Sequence, residues 1–192
     1  MIDHRKIPFV TIGIILLNIL GLVYEFSVGE DVAVAQFAMY EGALRDGEWL
    51  RLIVSAFIHF GIMHFGSNMI CLIFFGMSFE KAIGPVKYIL IYIAGIIGSG
   101  LMINFIGGPD GVHAGASGAI WALMGATLIL TIRRHQNPIY VGRGIIFNLI
   151  YSFSAGISWQ GHVGGGLAGA LVALIIIRDS AGRTGYDPHA PG

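Results

Sequence analysis

Six apolar runs divide the chain, separated by short segments that carry nearly all of its charge. The first covers Ile7 to Tyr24, with Pro8 in an opening turn where its missing N–H costs nothing. The second ends near Phe79 and starts within Ile53 to Met63, its boundary blurred by His59, His64 and Asn68. The third runs from Tyr88 to Ile106 and the fourth from Ser117 to Ile132. A fifth, Ile145 to Ile157, is short and carries Asn148, Ser152 and Ser154. The sixth, His162 to Ile177, stops at Arg178–Asp179. All but the fifth approach the roughly 20 residues that a helix needs to cross a bilayer's hydrocarbon core. The pattern predicts an all-α membrane protein, a bundle of six transmembrane helices. The segment Glu25 to Leu50 mixes Phe37, Met39, Tyr40 and Trp49 with acids, which suits a loop lying in the outer interface. Residues 8–178 form the predicted core, between a short N-terminal stretch (1–7) and a Gly- and Pro-rich tail (179–192) expected to be disordered.

Composition agrees with this division. Charged residues make up 11% of the 192 positions, against about 25% in a soluble domain. Apolar residues make up 55%, and 29 positions are glycine, the small residue that lets membrane helices approach closely. A net charge of zero offers no electrostatic footprint for nucleic acid. Cys71 is the only cysteine, so no internal disulfide can form. With the N-terminus in the cytoplasm, that side receives Arg5, Lys6, Lys81, Lys87, Arg133, Arg134, Arg143, Arg178 and Arg183. The opposite side receives only Arg45 and Arg51, together with Glu25, Glu30, Asp31, Glu41, Asp46, Glu48 and Asp110. This bias satisfies the positive-inside rule only for an even number of spans, with both termini inside. No small-residue cleavage site follows the basic start of the first run, so it reads as a span and not as a signal peptide.

Polar groups inside spans are costly and suggest function, although isolated ones often only bond a neighbouring helix. Ser117 opens the fourth run between glycines, in Gly115–Ala116–Ser117–Gly118. Its hydroxyl would be unhindered, and the N–H groups of a first helical turn have no intrahelical acceptor. The pattern is short, and serine is also a common N-cap. His162 opens the sixth run, where Gly161, Gly165 and Gly169 recur every four residues; Gly118, Ala122 and Ala126 form a matching stripe on the fourth. Packing of the two stripes would bring Ser117 to His162. His64 and Asn68, four apart, share a helix face and could both donate to an oxyanion. On a continuous helix His59 would point roughly 140° away from His64, which assigns it a separate, structural part. Glu80 reads as an interfacial cap or ion-pair partner. His113 receives no role.

Taken together, His59-x4-His64-x3-Asn68, then Gly115-Ala-Ser117-Gly118, then Gly161-His162, in the second, fourth and sixth runs, resemble the rhomboid family of intramembrane serine proteases. Glu48–Trp49–Leu50–Arg51 is similar to the Trp/Arg motif of that family's first loop, and Phe79–Glu80 to its Glu after the second span. The resemblance covers about Pro8 to Arg178. It implies Ser117 as nucleophile and His162 as general base. His64, Asn68 and the Ser117 N–H would form the oxyanion hole, with Gly115 shaping the loop beside it. Trp121 stands where many members carry an aromatic residue, often Tyr, stacked on the histidine. His59 matches a structural histidine at the entrance to the site. The implied substrates are transmembrane helices of other proteins in the lipid bilayer, admitted past a mobile fifth span, with no metal or other cofactor.

The residues alone leave other classes open. A non-catalytic relative that binds membrane clients typically lacks the nucleophile or the base, and both stand here. A channel or transporter would show an acidic residue or a broken helix at the midplane, and neither is visible in the pattern. No His-Glu-x-x-His motif or paired intramembrane aspartates mark another class of intramembrane protease. A compact six-span form suggests a prokaryotic plasma membrane.

Overall fold

The computed structural model describes residues 7–108, 111–154 and 158–178, and the predicted tail lies outside them. Among these residues the chain is helical apart from connections and one short β ribbon. Helix α1 (Phe9–Val28) leads into α2 (Glu30–Phe37) and a two-residue strand β1 (Met39–Tyr40). After α3 (Arg51–Val54) and a 3-10 turn come α4 (Gly61–Cys71), a π-helical turn (Leu72–Gly76) and α5 (Met77–Ile83), which continue one another as a single rod. Then follow α6 (Pro85–Ile106), β2 (Val112–His113), α7 (Ser117–Arg133), α8 (Ile139–Ser154) and α9 (Trp159–Ile176). Four helical stretches are long and apolar enough to cross a membrane: Phe9–Val28, Gly61–Ile83, Pro85–Ile106 and Trp159–Ile176. Helices α7 and α8 are apolar but shorter.

Several boundaries differ from those read in sequence. The first helix runs four residues past Tyr24 and encloses Glu25. This is possible because the Glu25 carboxylate is buried and accepts the His59 N–H at 2.7 Å, so the charge has a partner away from lipid. The second rod extends to Ile83, where Gly84, at φ +86°, turns the chain and Pro85 opens α6. Helix α8 starts at Ile139, six residues before the expected Ile145, its first N–H taken by the Asn137 side chain. Residues 155–157, the end of that expected span, lie outside the described ones. His59 precedes α4, which begins only at Gly61 with φ +76°. The helical angle between His59 and His64 therefore does not apply.

The centre of the molecule is a three-helix packing of α6, α7 and α9, with α9 parallel to α7 and antiparallel to α6. Glycine makes it possible. A methyl group added at Gly165 would overlap the Gly118 carbonyl, and one at Gly169 would overlap Ala122. Gly125 faces the Gly166 carbonyl, and Gly164 faces that of Gly98. Backbone thus lies directly on backbone along two seams, of which the sequence stripe had indicated one. Gly161 differs: a methyl there would meet Ser99 and Ile103 of α6, while its carbonyl comes against Gly118 of α7, because α9 is wedged between the two helices.

Glu80 holds the far end of the first helix. Its carboxylate accepts the Val10 N–H at 3.0 Å, the Thr11 N–H at 2.8 Å and the Thr11 hydroxyl at 2.7 Å. A buried anion thereby satisfies N–H groups that α1 leaves open. On the opposite side, the 25–50 segment is structured. Arg51 donates to the carbonyls of Ala35 and Ala38 at the end of α2, each at 2.9 Å, and lies over the Tyr40 ring. Trp49 remains 64% exposed. Strand β1 pairs antiparallel with β2, and Asn104 accepts the N–H groups of Gly42 and Leu44 at 2.9 Å.

Two consequences can be tested by thermal melts in detergent. Gly165→Leu, which forces a side chain into backbone, is expected to cost about 3 kcal/mol, whereas Gly13→Ala, which meets open space, leaves the melting temperature unchanged or slightly raised. Glu80→Ala removes one acceptor from three donors, with an expected loss of about 2–3 kcal/mol.

Candidate active site

Ser117 is the first residue of α7, and Gly115 sets the chain before it. Gly115 has φ +114° and gives its N–H to the Ser55 carbonyl at 2.8 Å. Glycine is required twice over there: the φ is one that other residues rarely adopt, and a Cβ would come within 2.7 Å of His64 Cε1. The loop entering α7 is fixed from outside by the β1–β2 ribbon and by His113, whose Nε2 lies 3.2 Å from the Gly107 carbonyl. Burial holds the His113 ring below the usual imidazole pKa.

His162 lies in the first turn of α9, capped by Ser158. Because α7 and α9 run parallel with their starts level, the two side chains meet: Ser117 Oγ is 3.0 Å from His162 Nε2. The imidazole is 6% exposed, and Trp121, one turn after Ser117, stacks on it with centroids 5.0 Å apart and planes 17° from parallel. A hydroxyl within hydrogen-bond reach of a ring nitrogen, with the ring held flat by stacking, has a geometry in which the ring can accept the hydroxyl proton.

His64 and Asn68 line the same cavity, of about 190 Å³, as Ser117, Trp121 and His162. His64 Nδ1 accepts the Phe60 N–H at 3.2 Å, which leaves the ring proton on Nε2, the edge that faces Gly115. Asn68 gives one amide hydrogen to the His64 carbonyl at 2.9 Å and retains a second. Ser117, at the start of its helix, has an N–H that α7 itself cannot satisfy. His59 stands behind this group, fully buried, edge-on to His64 and Phe65. All seven residues singled out in the sequence therefore occupy one region between α4, α7 and α9.

The structure adds residues that the sequence reading did not assign. Ser152 of α8 lies 2.8 Å from His162 Nδ1. Ser99 of α6 sits against Gly118 and Gly161, at a second, smaller cavity shared with Ser55, His113 and Ser158. Asn148 and Ser152 are four apart in an apolar run, the same one-face signal that drew attention to His64 and Asn68.

Comparison with known proteins agrees with the motifs. A family model described as the Rhomboid domain matches residues 46–179. The rhomboid protease GluP of Bacillus subtilis is 32% identical over 169 residues, which are 83% of this chain and 32% of that protein. The putative rhomboid protease YdcA of the same organism is 28% identical over 155 residues, 75% of each chain. The rhomboid protease GlpG of Klebsiella pneumoniae is 30% identical over 181 residues, 90% of this chain and 64% of that protein. The chain thus spans about a third of the length of GluP and somewhat under two thirds of GlpG. With the family model covering well over half of its length and its helices long and apolar, this integral membrane protein belongs to the rhomboid family.

Proposed function

We propose that the chain is an intramembrane serine endopeptidase that cleaves peptide bonds in or near transmembrane helices, with Ser117 as nucleophile and His162 as general base. The observation that carries this reading is the 3.0 Å contact between Ser117 Oγ and His162 Nε2 inside a cavity flanked by apolar helices. The matching relatives named as rhomboid proteases support the same chemistry. A client-binding relative without activity would have no need of a nucleophile and base in contact.

The proposed reaction is an acyl transfer to Ser117 followed by hydrolysis. Ser117 Oγ attacks the scissile carbonyl carbon while its proton passes to His162 Nε2. The carbonyl oxygen becomes an oxyanion, which accepts hydrogen bonds from the Ser117 N–H, His64 Nε2–H and the second Asn68 amide hydrogen. Collapse breaks the C–N bond, and the departing amine takes the proton from His162. Water then attacks the acyl carbon and gives a proton to His162 Nε2; collapse breaks the bond from that carbon to Ser117 Oγ, which takes the proton back from His162 as the acid leaves. Trp121 holds the imidazole plane through both steps, Gly115 keeps the loop open beside the oxyanion, and His59 supports His64 from behind. No metal or other cofactor is needed.

The proposed topology has six spans, counting the shorter α7 and α8, with both termini cytoplasmic. Lys81, Lys87, Arg133, Arg134, Arg143 and Arg178 then share one side, as the positive-inside rule asks. Substrate helices would reach the cavity from the bilayer past α8, which is exposed at Phe147 and Ile150 and lines the cavity with Asn148, Tyr151 and Ser152. The bacterial origin of the relatives favours a prokaryotic plasma membrane.

The decisive experiment incubates the purified protein, in detergent or liposomes, with a generic transmembrane substrate. Cleavage by the unaltered chain and its loss in both Ser117→Ala and His162→Ala are expected, with fluorophosphonate labelling confined to Ser117; proteolysis by a folded Ser117→Ala variant overturns the assignment. For the oxyanion donors, Asn68→Ala and His64→Ala should each lower kcat by about 10²–10³-fold with a smaller change in KM. An Asn68→Ala variant altered in KM alone makes Asn68 a binding residue.

A further inference from the structure

The hydrogen bonds of His162 continue on the ring nitrogen that faces away from Ser117. Ser152 Oγ lies 2.8 Å from His162 Nδ1, and the same hydroxyl donates to the Asn148 carbonyl, also at 2.8 Å. A serine hydroxyl has a single proton. Once it is given to Asn148, Ser152 Oγ is an acceptor, and the imidazole proton belongs on Nδ1. Nε2 is then bare and accepts the Ser117 hydroxyl at 3.0 Å. The opposite assignment would protonate Nε2 towards Ser117 and strip that hydroxyl of its acceptor. Only the first satisfies each donor along the row from Ser117 to Asn148.

The geometry points to Ser152 as a positioning residue that holds His162 in its Nδ1–H tautomer, the state in which Nε2 can take a proton from Ser117. In a Ser-His-Asp triad a buried carboxylate does this; here a neutral hydroxyl on α8 does it. Ser152 is 2% exposed, and its hydroxyl occupies the hydrogen-bonding position at Nδ1. Trp121 fixes the plane of the ring by stacking, but a stacked ring exerts no choice between the two nitrogens. Glu25 and Glu80 are the buried carboxylates of the described helices, and both are bonded elsewhere, to His59 and to the start of α1. Since Ser152 and His162 belong to different helices, the tautomer of the base depends on where α8 sits.

The inference rests on the proposed dyad, and its test separates the two. Ser152→Thr and Ser152→Val have nearly the same shape and differ by a hydroxyl. Three quantities are measured on each purified variant: the rate of fluorophosphonate labelling at Ser117, kcat and KM on a transmembrane substrate, and the ¹⁵N signals of the His162 ring. Ser152→Val is expected to lower kcat and the labelling rate about 10- to 100-fold, as for a buried donor left unpaired, with KM little changed. Its ring signals should move from one Nδ1–H tautomer to a mixture. Ser152→Thr, whose hydroxyl can bond the same i−4 carbonyl, should stay close to the unaltered protein in all three. A serine that merely packs would make the Thr and Val variants alike, and equal labelling rates with an unchanged tautomer overturn the proposal. If the unaltered protein is not labelled at Ser117, the dyad fails and the relay falls with it; labelling indifferent to the side chain at 152 removes the relay alone.

Discussion

Everything around Ser117 depends on the backbone of α9 lying close against the backbones of α7 and α6 at the glycines that line their seams. In lipid there is little hydrophobic force to press helices together, so short-range packing has to do it. Gly165 on the Gly118 carbonyl, Gly169 on Ala122 and Gly164 on Gly98 supply that contact. The resulting separation lets two short side chains, a serine and a histidine from different helices, come within 3.0 Å. A hydrogen bond tolerates a few tenths of an ångström, so the seam and the contact stand or fall together. Each interior glycine costs about 1 kcal/mol of helix propensity relative to alanine, a cost offset by dispersion along the seam.

The irregular segments follow a second rule. Backbone outside regular helices has no water to bond where it is buried, and is satisfied by side chains instead. Glu25 takes the His59 N–H, the Asn104 side chain takes that of Leu44, Arg51 gives to Ala35 and Ala38, and Glu80 closes the start of α1. Through the β1–β2 ribbon these fastenings also fix the segment that leads into Gly115 and Ser117.

Much of this was legible in the sequence, because hydrophobic runs of helical length and glycines at a spacing of four have few alternatives. The His64/Asn68 face, the glycines around Ser117 and the stripe beside His162 were readable for that reason. Other features were not. The start of α8 at Ile139 escaped because Tyr140, Gly142, Arg143 and Gly144 dilute its hydrophobicity. Glu25 looked like a terminator, since a buried carboxylate in a helix is explained only by a partner distant in sequence. Ser152 was noticed as polar but could not be paired with His162, because helix rotation about its own axis decides which i, i+4 face turns inward. The π-turn at Leu72–Gly76, packed on Tyr88 and Thr11, leaves no local signature at all.

The modest length of α7 has a geometric meaning of its own. Seventeen residues rise about 25 Å, short of the roughly 30 Å of hydrocarbon, whereas the 22 residues of α6 exceed it. Ser117 and His162 both occupy the first turn of their helices. If the far ends of α6 and α7 are level, the difference falls at the end that bears Ser117 and His162. Helix length then acts as a depth gauge: in the proposed six-span arrangement it sets Ser117 and His162 below the rim of the bundle by about one helical turn.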